Sequence, residues 1–204
     1  MSKPSPHDAC ACCAAELPTN SGRRQMLTGA LSLAALAATS LPAMTQDATA
    51  ARSLKPQPGD KLAFMLGPKA GQEILPADIQ FGEPPTLAYP MDTATGKALV
   101  AKASMLTVIR LKPDDLKPAS AANSADGIVA YSSLCTHYGC PITTLHPSQT
   151  QIVCNCHGSV FNAADRGVVT NGPAQRRLAM LPLAIKDGAV IVTGKFDGPL
   201  GPPT

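Results

Sequence analysis

The sequence has no tryptophan, and Phe, Tyr and Trp together make up only 3% of its 204 residues. So few aromatic side chains give no base-stacking surface of the kind that single-stranded nucleic acid needs. Charge of one sign is equally scarce. The 17 basic and 14 acidic residues leave a formal net charge of +3, too small to argue for a polyanionic partner. No nucleic acid is expected. Beyond residue 50 there is no long amphipathic helix, and no internal repeat is visible apart from two short cysteine motifs. What is present is 20 Pro and 16 Gly, a composition that favours short elements joined by turns. The length suits one domain with a real core plus a tail. The seven cysteines are clustered, at Cys10, Cys12 and Cys13 and again at Cys135, Cys140, Cys154 and Cys156. Clustering points to a site and not to staples spread along the chain.

Near the start, "SGRRQMLTGALSLAALAATSLPAM" places Arg23 and Arg24 before a stretch that carries no charge until Asp47. A basic pair followed by an apolar segment is the layout of an export signal. Arg23, Arg24, Met26 and Leu27 resemble the twin-arginine type, although that type more often has Phe at position 26. The resemblance implies export of a folded, cofactor-loaded protein to the periplasmic side of the cytoplasmic membrane. The uncharged run is long enough to span a bilayer, but Gly29, Ser32, Thr39, Ser40 and Pro42 weaken its insertion. The "ATA" at 48–50 offers a small-residue cleavage site. Anchoring and release after cleavage both stay open, with retention favoured only by the family resemblance given below. Cys10, Cys12 and Cys13 are read as part of a tail without a role in the mature protein. The expected organisation is a cytoplasmic region at 1–22, a signal or membrane anchor at 23–46, a polar proline-bearing linker at 47–60 and a folded domain at 61–204.

The body reads as strands. "MLTVIRL" at 105–111 and "GIVAYSSL" at 127–134 are short and rich in β-branched or apolar residues, and "TQIVC" at 150–154 runs into the second cysteine motif. "LAMLPLAI" and "AVIVTG" flank Asp187-Gly188, a two-residue hairpin signal. Pro182 should push its strand to an edge or a bulge. Single helical turns are expected at "LPADI" and "PDDL". The predicted fold is mainly β, an antiparallel sandwich or barrel-like sheet stack, with the cysteine motifs on loops between strands.

"CTHYGC" at 135–140 and "CNCHGS" at 154–159 offer Cys135, His137, Cys140, Cys154, Cys156 and His157. Three readings of these residues compete. A structural zinc needs only four of them. A disulfide is permitted in an exported protein, but leaves matched histidines idle. A two-iron cluster on two Cys and two His, with the other two cysteines joined, employs all six.

The pair "CTHYGC…CNCHGS" resembles the signature of Rieske iron–sulfur proteins. The resemblance implies one [2Fe-2S] cluster, with Cys135 and Cys154 on one iron and His137 and His157 on the other. It also implies a disulfide between Cys140 and Cys156. A looser similarity runs from about residue 52 to 204, where "NGPAQRRL" resembles the family's proline-containing loop over the cluster, with Pro173 as its proline. Replacing thiolates by neutral imidazoles makes the centre less negative and raises its potential. The ring protons of bound His137 and His157 should couple electron uptake to proton uptake.

Around these ligands Ser159 matches the family serine that donates to a cluster sulfide. Phe161 stands where high-potential members have Tyr, which should lower the potential. Tyr138 is expected to shield the cluster or touch a partner. Gly139 and Gly158 are expected to allow tight turns or close backbone approach. Asn155, where Pro is usual, suggests a less stiff loop. His146 is expected on the solvated surface, and so are Arg176 and Arg177, unless these two steer an acidic redox partner.

The resemblance implies one-electron transfer by a subunit that is not a catalyst alone. The leading expectation is the Rieske subunit of a quinol–cytochrome c reductase, taking electrons from quinol and passing them to a c-type cytochrome, with membrane association. The alternative is the small subunit of a periplasmic molybdenum oxidoreductase such as arsenite oxidase, beside a molybdopterin subunit. "GEPPTLAYPMD" and "DGIVAYSSLCTHYGCP" look like that group, which however tends to carry Phe where Gly158 stands. A zinc-stabilised binding module is the alternative of another class.

Overall fold

The computed structural model describes residues 52–203. The expected export signal, Cys10, Cys12 and Cys13 lie outside the described residues. Among the described residues no helix is long and apolar enough to cross a membrane. The described residues form twelve strands: β1 (Lys61–Phe64), β2 (Thr86–Asp92), β3 (Lys97–Ala98), β4 (Leu106–Arg110), β5 (Ile128–Ser132), β6 (Thr144–Leu145), β7 (Gln151–Cys154), β8 (Ser159–Asn162), β9 (Val168–Asn171), β10 (Met180–Leu181), β11 (Leu183–Lys186) and β12 (Ala189–Val192). Among the described residues the helical content is one short helix, α1 (Pro118–Ala121), and three single 3-10 turns. Two of those turns, Pro76–Asp78 and Pro113–Asp115, begin on the prolines expected to start them.

The strands form two antiparallel sheets. The larger has eight strands in the order β10-β5-β4-β2-β1-β12-β11, with β3 added to β2. Its two end strands, β10 and β11, are consecutive in the chain and are separated only by Pro182. The sheet therefore curls almost into a barrel. Pro182 has no N–H to donate, and it sits where the chain leaves its pairing with β5 and takes up pairing with β12. The smaller sheet, β6-β7-β8-β9, is inserted between β5 and β10.

β4 and β5 explain how the sheets hold together. Side chains alternate between the two faces of a strand. Leu106, Val108, Ile128 and Ala130 line the core inside the larger sheet with Leu62, Ala88, Leu181, Val190 and Val192. Ile109, Val129 and Tyr131 point the other way, into a second core with Ile152, Phe161, Leu178, Met180, Cys135 and Cys154. Strands buried on both faces read as continuous apolar runs, which is why these two were legible in sequence. Tyr131 is fully buried, and its hydroxyl donates to the Ala163 carbonyl at 2.7 Å, tying the larger sheet to the smaller one. Asp187 and Gly188 both have positive φ, 52° and 76°, as the expected two-residue hairpin turn between β11 and β12 demands.

β2 was not foreseen, because Pro90 lies within it. Its pairing explains the tolerance. β4 accompanies β2 only along Thr86, Leu87 and Ala88, and β3 only along Met91 and Asp92. Pro90 falls in the gap, where no donor is required of it. β1, β3, β6, β8 and β9 were also missed; they are short, and the hairpins that run from β6 to β9 place the site.

Candidate metal centre

Two loops meet at one end of the smaller sheet. Loop one spans residues 133–142 and leaves β5. Its base is closed like a hairpin: Ile142 N–H donates to the Ser133 carbonyl at 3.0 Å, and Cys135 N–H donates to the Cys140 carbonyl at 2.9 Å. The buried Thr107 hydroxyl on β4 donates to the Ile142 carbonyl at 2.8 Å. Loop two, residues 155–158, is the tip of the β7–β8 hairpin, in which Cys154 pairs with Ser159. The tips have matched turns. Gly139 N–H donates to the Cys135 carbonyl at 2.7 Å, and Gly158 N–H donates to the Cys154 carbonyl at 3.0 Å. Both glycines have positive φ, 73° and 70°, so a tight turn is the reason for each.

The loops bring all six candidate residues together. Cys140 and Cys156 form a disulfide, with 6.6 Å between their Cα atoms. Cys135 and Cys154 are free and each is only 1% exposed. The sulfurs of Cys140, Cys154 and Cys156 lie within 4.8 Å of one another. Two of those three are joined covalently, so the thiolate donors on offer are Cys135 and Cys154. Burial pushes the Cys154 thiol up, and the adjacent Cys135 thiol pushes the same way, while backbone N–H groups of Cys156 and His157 oppose the rise. The buried Cys154 thiol gives up its proton readily only when a cation takes the proton's place. The imidazoles of His137 and His157 are 4.7 Å apart and mutually perpendicular. The Nδ1 of His137 is buried without any hydrogen-bond partner, as expected of a nitrogen reserved for a ligand bond. Two thiols, two imidazoles and one unpartnered ring nitrogen fit a mixed Cys/His iron–sulfur centre.

A third loop covers the second. Gly172 packs directly on Gly158 and Ser159, and Ala174 N–H donates to the Ser159 hydroxyl oxygen at 3.2 Å. Ser159 is fully buried, and that bond leaves its hydroxyl proton available. Pro173 is exposed at the crest of this loop. Phe161 is fully buried in the core that contains Cys135 and Cys154. Tyr138 does two things. Its ring lies 4.3 Å from that of His137 and 5.5 Å from that of His157, and the residue is 70% exposed.

The polar residues at the edge make more bonds than their sequence suggests, while His146 keeps its expected place at the surface. Asn155 does not leave loop two untethered: its side-chain amide donates to the Thr144 hydroxyl oxygen at 2.6 Å. His146 is half-buried and accepts from the Ser148 N–H at 3.1 Å, closing its own turn. Arg176 and Arg177 are half-buried and already engaged within the chain, which leaves them less free to steer a partner. Arg177 pairs with Asp197 at 2.9 Å, and Arg176 binds backbone carbonyls of the C-terminal segment. Sequence reasoning missed both engagements, because their partners lie about twenty or more residues away and mostly offer main-chain oxygens. Between Asp126 and Asp165 there is no Asp, Glu, Lys or Arg at all. The face that carries both imidazoles is thus built from uncharged loops.

Residues 97–182 match the family model described as the Rieske [2Fe-2S] domain. A protein of Streptomyces lividans named the cytochrome bc1 complex Rieske iron–sulfur subunit is 35% identical over 167 residues, covering 74% of this chain and 96% of that one. The protein of the same name from Streptomyces coelicolor is 34% identical over 167 residues, again 74% of this chain but 46% of the relative's length. A Haloferax mediterranei protein, provisionally named the Rieske subunit of a respiratory nitrate reductase, is 40% identical over 77 residues, covering 37% of this chain and 34% of its own.

Proposed function

The chain belongs to the Rieske iron–sulfur family, and from that premise we propose that it is the electron-transfer subunit of a quinol–cytochrome c reductase on the periplasmic side of the cytoplasmic membrane. Its cofactor is one [2Fe-2S] cluster, which supplies a one-electron carrier with no substrate chemistry of its own. Cys135 and Cys154 would hold one iron, and His137 and His157 the other. The carrying observation is the pairing of two buried free thiols with two adjacent imidazoles, one from each loop.

The protein's own residues do three things. The disulfide and the base of loop one hold the thiols at a fixed spacing, so little rearrangement accompanies a change of charge. The third loop and Phe161 exclude water from the sulfur side. The imidazoles stand at the uncharged outer face, where a ring N–H of His157 can exchange a proton or a hydrogen bond with a quinol. The absence of charged side chains on these loops suits contact with an apolar crevice more than long-range steering towards a charged soluble carrier.

The Streptomyces relatives support the reductase reading by their names, and the near-complete coverage of the shorter one supports it further. The Haloferax relative, named for a respiratory nitrate reductase, supports the second reading, a subunit of an oxidoreductase other than a bc1 complex. Gly158 argues against the arsenite-oxidase form of it: at φ 70° a Phe there is strained. Purification of the complex from native membranes decides between them. A b-type cytochrome and a c-type cytochrome should accompany the protein; a molybdopterin subunit in their place would overturn the reductase assignment.

A Phe161→Tyr variant should raise the midpoint potential. A phenol donating to a cysteine sulfur stabilises the more negative, reduced state. One such hydrogen bond, worth roughly 1–2 kcal/mol, corresponds to a rise of tens of millivolts. Redox titration checks it. An unchanged potential in a folded variant would mean that the para position of this ring does not face a sulfur.

A further inference from the structure

Residues after β12 cross back over the molecule in two stages. Asp197 is tied first. It accepts from Arg166 at 2.5 Å, from Arg177 at 2.9 Å and from the Met180 N–H at 2.7 Å, and its own N–H donates to the Met180 carbonyl at 3.0 Å. Residues 198–203 then run beneath loop one. The Nη2 group of Arg176 faces the carbonyls of Leu200, Gly201 and Pro202 at 3.1, 2.5 and 3.1 Å. The carbonyl of Arg176 itself accepts from the buried Thr136 hydroxyl at 2.6 Å, next to His137. Two glycines leave room for the close approach. A Cβ on Gly139 would stand 3.6 Å from the Pro202 ring, and one on Gly201 would stand 3.8 Å from the Leu134 side chain. Thr136, His137, Tyr138, Gln175, Pro202 and Pro203 line an open groove of about 430 Å³.

We propose that Arg176 is a positioning residue, and that the strap it holds fixes loop one and forms one wall of the groove through which His137 meets a partner. The proposal rests on the ligand assignment above. The reasoning is mechanical. Loop two is restrained by the β7–β8 hairpin, the Asn155–Thr144 bond and the third loop. The tip of loop one has its own turn, the disulfide, the Thr136 bond to the Arg176 carbonyl and this strap. Arg176 joins strap and loop through opposite ends of one residue, with a charge-assisted group on three carbonyls. Releasing the strap should therefore loosen one histidine loop and leave the other in place.

The test uses the full-length, natively matured protein, an Arg176→Ala variant, an Arg176→Lys variant and a chain ending after Gly198, which keeps the Asp197 ties. Hydrogen exchange by mass spectrometry compares the segment containing Gly139 with that containing Gly158, whose turns are alike. Arg176→Ala and the shortened chain should speed exchange at the Gly139 segment about tenfold or more, the effect of losing a charge-assisted bond. They should leave the Gly158 segment unchanged. The electron paramagnetic resonance spectrum of the reduced cluster should broaden or shift, and Arg176→Lys should restore part of both signals. Unchanged exchange at Gly139 in the shortened chain, or equal acceleration of both segments with a general fall in Tm, would overturn the proposal. If Arg176→Ala fails to fold, the shortened chain still decides. Wild-type protein without iron would instead defeat the ligand assignment, so the two failures are distinguishable.

Discussion

Replacing Gly172 by alanine is expected to unseat the third loop and shorten the lifetime of the cluster. Gly172 has φ 85°, a region that costs an L-residue roughly 1–2 kcal/mol. The added Cβ would lie 2.6 Å from the Ser159 Cα, 2.7 Å from the Gly158 oxygen and 2.8 Å from the Ser159 nitrogen. All three are backbone atoms, so no side chain can swing aside. Either the third loop lifts, breaking the Ala174–Ser159 hydrogen bond, or loop two shifts together with His157, its proposed ligand. Strain and the lost contact together should cost roughly 3–5 kcal/mol, and Tm should fall by about 10 °C. Calorimetry gives the first number, and bleaching of the visible absorbance gives the cluster lifetime. Wild-type values for both would show that the third loop does not seat on loop two.

Breaking the disulfide should have the second-largest effect, and the choice of variant matters. Cys140 and Cys156 are 16 residues apart, and a cross-link closing a loop of that size is worth about 3 kcal/mol. Part of this is already secured by β6, β7 and β8, so a loss of about 2 kcal/mol is expected. If cluster loss proceeds through opening of the loops, its rate should rise roughly 30-fold. A single Cys140→Ser change leaves Cys156 as a thiol within 4.8 Å of Cys154, free to compete as a ligand or to form the wrong disulfide. The paired Cys140→Ser and Cys156→Ser variant avoids this. It should retain the cluster spectrum and lose it faster, whereas the single variant should also show heterogeneous spectra. Equal cluster lifetimes in the wild type and the paired variant would remove the disulfide from the account.

The site was more legible in the sequence than the frame around it, for a physical reason. A mixed Cys/His centre demands particular side chains at short spacing, so the proposed ligands Cys135, His137, Cys154 and His157 advertise themselves within two six-residue motifs. β4 and β5 were legible because they are buried on both faces, and the Asp187-Gly188 turn because few residue pairs accept its dihedral angles. β2 was hidden by Pro90, whose tolerance depends on where two neighbouring strands happen to stop. The strap was hidden more deeply. Arg176 is recognised by carbonyl oxygens, which every residue carries, and nothing in "GPLGPP" marks it as an acceptor. The third loop fell between these cases: the resemblance of "NGPAQRRL" pointed to a cover over the cluster, but only the packing of Gly172 on Ser159 shows what holds it there.

The central claim is that two histidines, one from each loop, ligate the same iron. Pulsed electron paramagnetic resonance on natively matured, reduced protein carrying nitrogen-15 histidine tests it most directly. Two distinct histidine nitrogen couplings should appear, and one should vanish when His157 alone is replaced by a residue that still permits cluster assembly, such as Cys. A reduced cluster without histidine nitrogen coupling, or protein that holds zinc and no acid-labile sulfide, would contradict the account.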